Sequence, residues 1–97
     1  MSTYIGLATF TDQGLRTVKD TTKRADAVKE AASKFGVTVR DIYWTLGAYD
    51  VVAVCEAPDD TSITAFSLGV GSAGNVRFQT LRAMTRDEMN AVLKKLP

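Results

Sequence analysis

The sequence predicts an α+β domain: a four-stranded antiparallel sheet, two connecting helices on one face, and an extra helix at the C-terminus. Three observations lead there. Four stretches rich in β-branched and aromatic residues read as strands. Two stretches with apolar residues every three or four positions separate the first strand from the second and the third from the fourth. Between the second and third strands lies only "GAYD", too short for a helix and suited to a hairpin. The chain has 97 residues, the size of a single domain (1–97) with a modest core, and no linker, repeat or low-complexity run divides it.

Residues 3–10 ("TYIGLATF") form the first strand, closed by "TDQG". From Leu15 the period changes: Leu15, Val18, Thr22, Ala25, Val28, Ala32 and Phe35 fall on one helical stripe. The helix is expected to be re-capped at "KDTTKR", by Asp20, Thr21 or Thr22, and to stop at Gly36. The hairpin follows, with strands over about 38–46 and 51–56, Gly47 supplying a positive φ and Asp50 a side-chain cap. A second helix over about 62–68 is capped by Asp59, Asp60 or Thr61 and broken by "GVGSAGN". Residues 76–83 ("VRFQTLRA") alternate as a half-buried fourth strand, and Thr85 with Glu88 spells a capping box for the final helix. This β-α-β-β-α-β order is the ferredoxin-like arrangement.

An antiparallel sheet covered on one side should be polar on the other. Here both faces are apolar. Ile5 and Leu7 oppose Tyr4, Ala8 and Phe10; Val52 and Val54 oppose Val51, Ala53 and Cys55; Ile42, Trp44 and Leu46 oppose Tyr43 and Thr45. A second copy of the chain is the expected cover, giving a homodimer or larger ring. Burying ~500 Å² per chain at 25 cal/mol per Å² contributes on the order of 12 kcal/mol before association costs. The competing expectation is that the C-terminal helix folds back as a lid.

Composition narrows function mainly by exclusion. Twelve basic and eleven acidic residues leave a net charge of +1, with no basic footprint for nucleic acid. The longest apolar run, residues 51–55, is far below a membrane span. The N-terminus lacks the basic region of a signal peptide, so a cytoplasmic location is expected. There are no histidines, which removes Ser-His-Asp and Cys-His nucleophile systems and the usual zinc and iron sites. No metal or cofactor is called for. Cys55, alone in an apolar strand, reads as a small buried hydrophobe. Gly69, Gly71 and Gly74 spell G-x-G-x-x-G, but after a helix and before a strand, the reverse of a dinucleotide site; the reading is a helix stop and a loop.

"IYWTLGAYD", "EAPDD", "AGNVRFQTLRA" and "KRADAVKEAA" together resemble the GYD-domain family of small bacterial proteins, over essentially the whole chain. The namesake triplet is relaxed here to Gly47-Ala48-Tyr49-Asp50. The resemblance implies a ferredoxin-like, dimeric α+β barrel and brings no activity with it.

The candidate site residues cluster at the hairpin and the fourth strand. Tyr43, Trp44 and Tyr49 are either packing aromatics or the wall of a cavity on the open sheet face. Asp50 either accepts backbone amides at the turn or, in a dry cavity, is the one weak candidate for a general base. Arg77 and Gln79 belong on the open face if Val76 and Phe78 pack on the helices; a guanidinium there needs a carboxylate from another chain or an anionic ligand. Asn75 bonds its own loop or a ligand. Lys23 and Arg24 sit near a helix N-terminus, where positive charge is mildly unfavourable; alkyl-chain packing and an anion-binding or interchain role are the two readings. Three functions fit: a regulatory module binding an anionic or aromatic small molecule in a cavity of the open face, a cofactor-independent monooxygenase or isomerase of the dimeric barrel type, or a structural assembly subunit.

Overall fold

Four strands, β1 (Ser2–Phe10), β2 (Thr38–Trp44), β3 (Val51–Ala57) and β4 (Val76–Ala83), form one sheet in the order β2-β3-β1-β4. Every neighbouring pair is antiparallel. This is the split βαβ topology the sequence predicts, seen in a computed structural model that describes residues 1–97. The helices are α1 (Asp12–Arg16), α2 (Thr21–Ala32), α3 (Asp60–Ser72) and α4 (Arg86–Leu93), with 3₁₀ turns at Val18–Asp20 and Ser33–Phe35.

Register fixes the two faces. Tyr4 pairs with Cys55 and Arg82, Gly6 with Ala53 and Thr80, and Ala8 with Val51 and Phe78. These residues share the side that α2 and α3 cover. The core lies there: Tyr4, Ala32, Val37, Val39, Cys55, Ala57, Ile63 and Phe66 are buried together. Tyr4 donates its hydroxyl to Asp60 Oδ1 at 2.5 Å, tying β1 to the start of α3. Asp59 caps that helix by accepting from the Ser62 amide at 2.8 Å.

Several expectations at the helices give way to packing. The first helix is split: Thr11 caps the short α1, and Asp20 stands at the N-cap position of α2 without a side-chain cap bond. Leu15 and Val18 therefore fall off the buried stripe and are exposed. Arg24 reaches back instead, donating to the Thr17 carbonyl at 2.8 Å and the Gly14 carbonyl at 3.2 Å, so a cation out of place on α2 serves the carbonyl end of α1. α3 does not stop at Gly69 but runs on to Ser72; the left-handed Gly74 (φ 86°) follows it. Two helical glycines are costly in isolation. Gly69, however, admits the Phe35 ring, whose Cζ would stand 3.0 Å from any Cβ there. Tertiary contact outweighs local propensity. Gly36 (φ 73°) ends the α2 segment and Gly47 (φ 112°) turns the hairpin, as their positions suggested. Leu46 lies beyond β2 in the loop, fully exposed.

The C-terminal helix does not fold back. Its capping box is complete, with the Glu88 amide donating to Thr85 Oγ1 and the Thr85 amide to Glu88 Oε1. It has no substantial packing against another element. A nine-residue strand spans about 30 Å, so the 52 Å long dimension places α4 beyond the sheet rather than over it. Met89, Val92, Leu93 and Leu96 are all exposed. No helix is long and apolar enough to cross a membrane.

Candidate functional site: an open sheet face and an aromatic groove

The open face of the sheet carries Ile5, Leu7, Val52 and Val54 at its centre, each half-buried by its neighbours alone. Leu81, paired with Ile5, extends the patch, and Tyr43, paired with Val52, borders it. Polar residues rim it at both ends. At one end Arg40, the extra residue of a bulge in β2, bonds Glu56 at 3.0 Å, and the ion pair holds the Glu56 carboxyl below its ordinary range. At the other end Tyr49 reaches over β1 and donates its hydroxyl to Gln79 Oε1 at 2.6 Å. Arg77 stands nearby opposite Thr9, in neither of the molecule's two ion pairs. An apolar centre inside a polar rim is the anatomy of a protein interface.

The side that bears the helices holds a different feature. α2 and α3 stand apart over the sheet, leaving a groove of about 390 Å³. All four phenylalanines (Phe10, Phe35, Phe66 and Phe78) and the single tryptophan, Trp44, line it. Small residues separate the rings, among them Ala8, Ala25, Ala31, Ala53 and Gly69. Phe35 and Phe66 meet edge to face, with centroids 5.9 Å apart. Thr21, Arg24 and Asn75 are the polar groups of the wall, and Trp44 Nε1 donates to Thr21 Oγ1 at 3.0 Å.

The seven candidate residues are thus not one constellation. Tyr43 and Trp44 are sequence neighbours on a strand and point to opposite faces. Tyr43, Tyr49, Arg77 and Gln79 belong to the open side, Trp44 and Asn75 to the groove. Asp50 belongs to neither: its Oδ2 accepts from the Phe10 amide at 2.9 Å while its own amide donates to the Ala8 carbonyl at 2.8 Å. Asn75 bonds α1 rather than its own loop, with Oδ1 accepting from Gln13 Nε2 at 3.1 Å and its carbonyl from the Thr11 amide. Sequence reading missed the groove. Its signal was there, in aromatic residues at helix-facing positions set against alanines and glycine.

Burial pushes the Cys55 thiol up to about 11, where it is a poor nucleophile. The Asp60 carboxylate beside Tyr4 raises that phenol too. No group of three or more Cys, Asp or Glu side chains is placed to hold a metal ion.

The strand order and one-sided helix layer define a ferredoxin-like α+β protein, here with an apolar open face and an aromatic groove. The chain belongs to the GYD domain family, whose model matches residues 4–93. It is 38% identical over 95 residues to the glutamine synthetase and cystathionine beta-lyase binding protein of Thermus thermophilus, covering 97% of this chain and all of that one. The crystal structure of the Thermus thermophilus protein TTHA0845 superimposes with a TM-score of 0.56 at 25% identity, over 88% of this chain and 95% of the other.

Proposed function

We propose that the chain is a homodimeric, non-catalytic binding module that docks on a metabolic enzyme. One observation carries this reading: the apolar centre of the open sheet face has no cover from its own chain, because α4 points away. Four strands about 4.8 Å apart and some seven residues long present roughly 440 Å² of flat sheet. A stable interface takes about 800 Å² from each partner, so the sheet face supplies half and the exposed apolar side of α4 extends it onto the second copy. Arg77, unpaired within its own chain, meets a carboxylate of the other copy at the rim.

Partner binding is supported by the name of the Thermus relative, which matches 97% of this chain along its own full length. The dimer presents each outer surface twice, which suits docking on a symmetric enzyme. Glutamine synthetase and cystathionine beta-lyase are the first partners to test. Sedimentation of the purified chain at micromolar concentration should give a dimer, and Val54→Glu a folded monomer. The dimer should then co-migrate with purified glutamine synthetase or cystathionine beta-lyase of the same organism in size-exclusion chromatography. A wild-type monomer would overturn the dimer, and no co-migration with either enzyme would overturn the partner class.

A further inference from the structure

We infer that the groove between α2 and α3 is a binding site for an aromatic monocarboxylate, separate from the dimer face. Volume, wall and charge point the same way. A space of about 390 Å³ falls in the range of small-molecule sites, roughly 300–1,000 Å³. Of its twenty lining residues sixteen are hydrophobic, which rules out a sugar or nucleotide as the main occupant. Five of the molecule's eight aromatic rings stand around this one space, set among alanines and branched aliphatic residues. Flat rings pack edge to face or offset against such walls, and the intervening alanines and glycine leave slots of ring thickness.

Charge sets the other end of the ligand. Arg24 is the one charged residue in the wall, is only half-exposed, and has no carboxylate partner. Its guanidinium carries five N–H donors. Three are spent, on Thr17 carbonyl, Thr17 Oγ1 and Gly14 carbonyl. Those bonds fix the fork in place and leave two donors and the full charge for an anion. A single carboxylate matches them, since a second anionic group would find no cation in the wall. The bonded Trp44–Thr21 pair stands in the same wall as Arg24 and stiffens it.

The test uses full-length protein and two probes, naphthalene-2-carboxylate and its neutral counterpart naphthalene-2-methanol, in calorimetric titrations read alongside Trp44 emission. The acid should bind with a shift in Trp44 fluorescence. Arg24→Gln should weaken the acid by about tenfold or more and leave the alcohol within about twofold, which also shows that the groove is still formed. Ala31→Phe fills the space and should abolish binding of both; Ala25→Leu does so by a smaller volume should the first variant fail to fold. The dimer variant Val54→Glu should bind as the wild type does, so failure of the dimer reading leaves this site standing. Absence of acid binding by the wild type, unchanged affinity in both filled variants, or loss of binding in Val54→Glu alone would each overturn the assignment.

Discussion

Asp50 closes the end of β1: its carboxylate accepts the Phe10 amide at 2.9 Å, where the ladder to β3 has run out. The backbone on the same residue bonds Ala8 and, through its carbonyl, the Thr45 amide at 2.9 Å, so one residue joins the hairpin loop to the end of β1. Removing the carboxylate orphans a half-buried amide, which costs about 1–3 kcal/mol. Asp50→Ala should therefore lower Tm by roughly 4–8 °C for each kcal/mol lost. Asp50→Asn, which keeps an acceptor oxygen, should lose less than half as much. Equal losses in thermal melts would show that charge, not the acceptor, is what β1 needs.

Two glycines separate steric need from conformational need. Neither Gly14 nor Gly71 has a positive φ. A Cβ on Gly14 would collide with the Asn75 carbonyl oxygen, a backbone atom that Thr11 also holds. On Gly71 it would meet only the Val76 carbonyl oxygen, at 3.8 Å. Gly14→Ala should prise α1 from the α3–β4 loop and destabilise the fold by about 2 kcal/mol or more. Gly71→Ala, inside α3, should stabilise it by about 0.5–1 kcal/mol. Denaturant melts of the two variants should move in opposite directions from the wild type.

How much of this was legible in the chain follows from which interactions are local. β4 and the Thr85–Glu88 capping box stand where period and spacing put them, since alternation and a four-residue motif are read without tertiary knowledge. The apolar character of both faces was equally plain, because Ile5 and Leu7 alternate with Tyr4, Gly6 and Ala8 whatever the helices do. α3 runs longer than its glycines suggest because the Phe35 contact that makes Gly69 useful comes from 34 residues away in sequence. The groove was missed for the same reason: its width is the distance between two helices, and no single stretch encodes it. Trp44 was grouped with Tyr43 by proximity in sequence, although strand alternation already set them on opposite faces.

The cap of α4 carries a pH dependence of known sign. Glu88 accepts from Arg82 at 2.7 Å and from the Thr85 amide at 3.0 Å. Chiefly through the Arg82 bond, its carboxyl is pulled from the ordinary 4.5 down to about 2. A carboxyl whose folded value is depressed contributes stability that is present above its unfolded value and lost as pH falls toward the folded one. The contribution of Glu88 is therefore complete above about pH 4.5 and gone near pH 2. Because α4 has little other packing, loss of this cap should release the helix without unfolding the sheet. In an NMR titration the Glu88 carboxyl carbon should change with a midpoint near the depressed value, and the Thr85 amide should move with it. Glu88→Gln keeps an acceptor for Thr85 but loses the charge, so its Thr85 amide should stay still across the same window. A Glu88 midpoint near 4.5, or a Thr85 shift of equal size in the variant, would show that the Arg82–Glu88 pair does not hold the helix start.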